Sequence, residues 1–150
     1  MNKIFIGADH RGFALKGEIV EYLKAQGYDV YDVGVKQLDP DDDFPKYARA
    51  AVLKLLAADY EDRAILLCSS GQGMCIAANR FKGIRATIIW DTTEARMARN
   101  DDDSNVLCLP ARVLGSNREL WQDIIDTWLN TPFAAAARYI RRNHELDKLT

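Results

Sequence analysis

The sequence has little cysteine, less histidine and almost no imbalance of charge. Three cysteines, Cys68, Cys75 and Cys108, are an odd number in a chain of 150 residues, which is not a disulfide framework and predicts reduced thiols. They form no Cys-x-x-Cys pair, and with only His10 and His144 beside them no zinc site or other metal centre is expected. A net charge of −2 with no long basic block argues against a nucleic acid or a membrane surface as the main partner. No apolar run approaches the roughly eighteen residues that a membrane span needs. Met1-Asn2-Lys3 leads straight into a short β-like stretch, so the expected location is the cytoplasm. What the chain does have is 48% apolar residues, enough for one core, and a single domain over residues 1–150 is expected.

The apolar pattern alternates between two periods. Lys3 to Ala8 is a brief strand-like run, and Leu15, Ile19, Tyr22 and Leu23 follow at helical spacing up to Gly27. Asp29 to Val33 repeats the strand signal, then an acidic loop, Asp39 to Asp43, precedes a helix with Pro45 in its first turn and Val52, Leu55 and Leu56 along it. Arg63 to Cys68 reads as a fully buried strand, Ser69 to Gly73 as a turn, and Met74 to Arg80 as a helix. Ile84 to Trp90 and Val106 to Leu109 complete the strands. Asp91 with Glu94, and Ser116 with Glu119, have the spacing of helix-capping boxes, and the run Ala134 to Ala137 falls in a predicted C-terminal helix. Five strands alternating with helices predict an α/β fold, a Rossmann-like three-layer α/β/α sandwich around a five-stranded parallel sheet. Ligands of such sheets bind beyond the carboxyl ends of strands. Three segments are candidates: Gly7 to His10, Cys68 to Gly73, and Asp101 to Asn105 ahead of the last strand.

Each candidate has two readings. Cys68 ends a buried strand before a glycine turn whose amides favour a thiolate able to act as a base; equally, it could be a core cysteine. Cys75 and Cys108 lack that turn and read as structural. Gly71 and Gly73 free the backbone to present N–H groups to an anion, with Ser69 or Ser70 adding a hydroxyl, but a tight turn alone explains them as well. No Gly-Lys-Ser/Thr follows and no G-x-G-x-x-G is present, which discounts nucleotides. Asp9 and His10 offer a proton carrier and a phosphate donor, or a cap with an exposed neighbour. Arg138 and Arg142, four apart, share a helix face fit for a phosphate or simply for solvent, and Arg112 stands just past the last strand.

The strings G-A-D-H-R-G-F-x-L-K (Gly7 to Lys16), C-S-S-G-Q-G-x-x-I-A-A-N (Cys68 to Asn79), G-I-R-A (Gly83 to Ala86) and R-x-x-R-R (Arg138 to Arg142) resemble the family of type B ribose-5-phosphate isomerases and galactose-6-phosphate isomerase subunits. The likeness extends over nearly the whole chain. It implies an aldose–ketose isomerase of phosphorylated sugars, most simply ribose 5-phosphate and ribulose 5-phosphate, that needs no cofactor. Cys68 would move a proton between C1 and C2 through a cis-enediolate. Ser70 and the amides around Gly71 and Gly73 would hold the oxyanion, and Asp9 would assist proton handling. His10, Arg138 and Arg142, with Arg112, would bind the phosphate. The family implies a homodimer with sites built from both subunits, or a dimer of dimers.

The chain departs from the pattern at two places. Where the family has a His-Asn pair ahead of the last strand, its His helping to open the furanose ring, this chain has Asn100-Asp101-Asp102-Asp103, and a histidine often found after the first arginine of the C-terminal motif is Tyr139. Asp101 is a poor general acid near neutrality unless burial raises it, and the acidic triplet also reads as a solvated loop. A four-carbon or open-chain sugar phosphate, which needs no ring opening, is therefore an alternative substrate. A non-catalytic sugar-phosphate-binding subunit is an alternative of another class.

Overall fold

Alternation within each strand decides the layering. In the computed structural model, which describes residues 2–149, the first strand, β1 (Lys3–Ala8), sends Ile4, Ile6 and Ala8 to one face and Phe5 to the other. The third, β3 (Arg63–Cys68), does the same with Ile65 and Leu67 against Ala64, Leu66 and Cys68. With β2 (Asp29–Asp32), β4 (Ala86–Ile88) and β5 (Val106–Pro110) they form one all-parallel sheet in the order β2-β1-β3-β5-β4.

Parallel neighbours need crossovers, and the crossovers sort the helices. Moves toward the β2 edge pass over the first face, by α1 (Phe13–Ala25) and α4 (Thr92–Asp102); moves toward the β4 edge pass over the second, by α2 (Phe44–Leu56) and α3 (Gln72–Ala78). A single crossover hand requires this division. The short α5 (Ala111–Leu114) and then α6 (Arg118–Asn130) return over the first face, and α7 (Ala137–Leu146) follows. The expected three-layer α/β arrangement is thus present.

The two cores differ in make-up. On the first face Leu15, Ile19 and Leu23 of α1 meet Trp121, Ile124 and Trp128 of α6 over the sheet; on the second, Tyr47, Ala51 and Val52 of α2 meet Met74 of α3. Trp121 and Trp128 are fully buried. Each removes roughly 200 Å² from water, worth about 5 kcal/mol, against roughly 1–3 kcal/mol for an indole N–H left without a partner.

Local signals set most helix ends. Asp91 caps α4 as expected, its carboxylate accepting the Glu94 N–H at 2.8 Å. The cap of α6 is Asn117, not Ser116: Asn117 Oδ1 accepts the Leu120 N–H at 3.1 Å, because an equally good capping side chain stands one residue closer to the helix. β4 is shorter than Ile84 to Trp90, since the Arg85 N–H is taken by the Asn105 side chain at 2.8 Å and Ile84 donates into a turn. The alanine run opens α7 only at its last member. Ala134 donates to the Asn100 carbonyl at 3.0 Å and Ala135 sits at φ +54°, so a tether to α4 overrides helix propensity. Leu56, at the end of α2, is exposed. Among the described residues no helix is long and apolar enough to cross a membrane.

Candidate active site

β1 and β3 lie side by side, yet the chain leaves β1 toward one edge of the sheet and β3 toward the other. Their carboxyl ends frame the crevice where connections diverge, the place where open parallel sheets bind ligands. The loop after β1 is pressed onto β3. Asp9 donates its N–H to the Leu67 carbonyl at 3.3 Å, and a Cβ on Gly12 would stand 2.7–2.9 Å from the Leu67 Cβ, carbonyl carbon and oxygen. Only glycine allows that approach. Asp9 is nearly buried, and its Oδ1 accepts the N–H groups of Arg11 at 2.9 Å and Gly12 at 3.1 Å.

The loop after β3 turns on Gly71 at φ +76°, a left-handed conformation that brings the Gly71 N–H to Cys68 Sγ at 3.2 Å. Cys68 is buried at the strand's end, so its sulfur meets this amide rather than water. Ser70 Oγ accepts the Gln72 N–H at 3.3 Å. Phe44, from the start of α2, covers the loop so closely that a Cβ on Gly73 would lie 2.7 Å from its ring. From the end of β5, Arg112 donates its backbone N–H to the Ser69 carbonyl at 3.0 Å, leaving its side chain exposed beside the loop. Cys75 and Cys108 fall elsewhere: Cys75 Sγ contacts the Ala86 carbonyl at 3.3 Å, and complete burial pushes the Cys108 thiol well up.

His10 completes this edge. Its Nδ1 lies 2.8 Å from Asp42 Oδ1, and its backbone N–H reaches the same oxygen at 3.2 Å. Burial alone would raise Asp42, but these hydrogen bonds outweigh it and hold the carboxyl below its ordinary value. The Tyr47 hydroxyl is nearby without closing a hydrogen bond, and burial with the adjacent carboxylate pushes it up to about 12. Asp9, His10 and Asp42 have ligand atoms within 4.8 Å of one another, a possible cation cluster among the described residues. Asp9 and Asp42 each have one oxygen committed to N–H groups of the protein.

Asp101, Arg138 and Arg142 do not join this group. Helix α4 starts at the carboxyl edge after β4 and runs back to the amino end of β5, which puts Asp101 to Asn105 at the opposite edge of the sheet. That corrects the expectation that this segment borders a carboxyl end. Asp101 there accepts from the Asn100 side chain at 2.8 Å. Asp102 is pushed up by burial and by Asp101, with Arg85 and Arg142 pulling the other way, so Arg142 stands near the end of α4. Arg138 lies over the Tyr139 ring, 4.6 Å from its centre, and both arginines are exposed. The site residues thus fall into two sets, Cys68, Ser70, Gly71, Gly73, Asp9, His10 and Arg112 at one edge and Asp101, Arg138 and Arg142 at the other. Sequence reasoning missed Asp42, Phe44 and Gly12. The Asp39–Asp43 cluster marked Asp42 as loop, with no signal for which carboxylate turns inward.

Comparison with known proteins finds relatives over nearly the whole chain. The family described as Ribose/Galactose Isomerase matches residues 4–146. The chain is 40% identical to the ribose-5-phosphate isomerase B of Escherichia coli (strain K12) over 133 residues, covering 89% of this chain and 87% of that one. The crystal structure of a ribose 5-phosphate isomerase from Thermotoga maritima superposes with a TM-score of 0.91 at 41% identity, covering 99% of both chains. A Mycoplasma genitalium ribose-5-phosphate isomerase B structure with bound ribulose-5-phosphate gives a TM-score of 0.89 at 34% identity, covering 97% of this chain and 94% of that one.

Proposed function

The chain belongs to the ribose/galactose isomerase family, and from that premise we propose that it interconverts ribose 5-phosphate and ribulose 5-phosphate, working in the cytoplasm as a single domain. The observation that carries this reading is Cys68 at the β1/β3 crevice, its sulfur facing an amide of the Gly71 loop with Asp9 held on the adjoining loop. Cys68 removes a proton from the carbon beside the carbonyl and returns it to the neighbouring carbon through a cis-enediolate. Charge then develops on oxygen, where the Ser70 hydroxyl and the amides around Gly71 and Gly73 supply donors; losing one such donor costs about 2.7–4 kcal/mol of transition-state stabilisation. Asp9 carries protons among the sugar hydroxyls. His10 and Arg112 bind the phosphate together with Arg138 and Arg142.

The opposite-edge placement of Arg138, Arg142 and Asp101 supports a homodimer in which a second copy brings that set to Cys68, and two such dimers would form a tetramer. An exposed groove of about 420 Å³ along α7, lined by Ala137, Ile140, Arg141 and His144, fits a contact there. The test is isomerisation of four-, five- and six-carbon aldose phosphates by the purified protein, with Cys68→Ala as control. Cysteine-dependent turnover of ribose 5-phosphate is expected. Binding without exchange at C2 would instead make the chain a sugar-phosphate-binding subunit. A second reading of the substrate follows from Asp101 and Tyr139: with no imidazole at either position, a four-carbon phosphate without a stable ring should compete well, and a strong preference for ribose 5-phosphate would exclude it.

A further inference from the structure

One aspartate of the loop joining β2 to α2 turns inward. Asp39, Asp41 and Asp43 are exposed, whereas the side chain of Asp42 has no exposed surface. A carboxylate out of water is tolerated only where donors meet it, and both donors that reach Asp42 Oδ1 come from His10, the ring Nδ1 and the backbone N–H. The two contacts together fix the ring relative to its own backbone. A carboxylate only accepts, so the proton at this contact belongs to Nδ1. A free neutral histidine side chain in water prefers the proton on Nε2. The ring is 26% exposed, in the crevice that Asp9 shares.

We propose that Asp42 is a positioning residue for His10: it locks the imidazole with the proton on Nδ1 and leaves Nε2 for the substrate. In the neutral ring Nε2 then accepts from a sugar hydroxyl, and in the protonated ring it donates to a phosphate oxygen. The inference rests on the reading of His10 as a substrate ligand. The charged and titratable groups around the ring fit this role. Asp42 stays ionised because it is held below its ordinary value, Tyr47 stays a neutral phenol, and Asp9 has Oδ1 engaged by backbone amides. Asp42 itself lies behind the ring, so it acts on substrate only through His10.

The chain has only two histidines, His10 and His144, so long-range proton–nitrogen NMR of the labelled protein reads the tautomer directly. The neutral His10 ring should carry its proton on Nδ1 in the unaltered protein, a result that needs no substitution to fold. In Asp42→Ala the proton should move mainly to Nε2, with KM for ribose 5-phosphate up about tenfold and kcat changed less than about threefold. In a His10→Ala background the same substitution should add no further loss. A wild-type His10 protonated on Nε2, or an Asp42→Ala effect undiminished without His10, would overturn the proposal. His10→Ala with unchanged kinetics would overturn it by a different route: the spectra would still report the Asp42 contact, and the failed premise would be His10 as a substrate ligand.

Discussion

Subunit mixing tests whether one site draws on both edges of the sheet. Helix α4 carries the chain from the carboxyl edge after β4 to Asp101 and Asp102, and its 11 residues span about 16 Å at roughly 1.5 Å per residue. Side chains of ordinary length cannot close that gap around the sheet, so Arg142 and Cys68 of one chain should not serve the same substrate. In the proposed two-subunit site Cys68 is the proton carrier and Arg142 a phosphate ligand, so homodimers of Cys68→Ala and of Arg142→Ala should each have both sites damaged. After equal mixing and subunit exchange, half the dimers are hybrid. Each hybrid has one site with both lesions and one with neither. Activity should therefore recover to about a quarter of the wild-type level at low substrate, where the Arg142 lesion is strongest. The assay is ribose 5-phosphate isomerisation against time of mixing, with exchange followed by mass spectrometry of differently labelled subunits. Full exchange without recovery would refute the two-subunit site.

Cys68→Ala by itself should lower kcat/KM at least about a hundredfold with the fold unchanged, since a general base contributes typically 10²–10⁴-fold; near-normal turnover would remove Cys68 from the chemistry. Gly12→Ala would set a methyl against the Leu67 backbone, which cannot yield, and should cost about 1–3 kcal/mol in urea unfolding while displacing Asp9 and reducing kcat. Asp103→Ala should cost about 3–5 kcal/mol, because the buried Arg99 loses its partner at 2.9 Å and Arg85 one at 3.1 Å; a loss below about 1 kcal/mol would show the network to be dispensable. Asp42, depressed in the folded state, binds fewer protons than the unfolded chain below its ordinary 3.8, so its stabilisation is present above that pH and lost as pH falls through the folded value. Asp42→Asn should flatten the pH dependence of unfolding in that acid window, and an unaltered slope would contradict the assignment.

Strand and helix periods were legible because burial imposes them on sequence locally. Arg63–Cys68 reads as a strand buried on both faces because helices cover the sheet on both sides, and Asp91 announces α4 because its capping bond spans three residues. The Gly71 turn and the acid–imidazole pair at Asp9 and His10 were visible for the same reason, since each is a short segment whose chemistry lies in consecutive residues. The α6 cap was misplaced by one residue because the adjacent Asn117 caps as well as Ser116 would. The other misjudged element ends were those where a distant group intervened: the Asn105 side chain shortens β4, and the Asn100 carbonyl holds Ala134 outside α7.

The sequence by itself therefore determined the α/β class and the sulfur-and-amide loop at the end of β3, and it supplied the residues proposed to bind a phosphate. Tertiary structure alone decided which of those residues meet. The strand order places β1 beside β3 and so joins Asp9 and His10 to Cys68, the inward turn of one loop carboxylate seats His10 on Asp42, and the return path of α4 takes Asp101 to the far edge. Contacts of this kind depend on crossover direction and strand order, which local propensity does not encode.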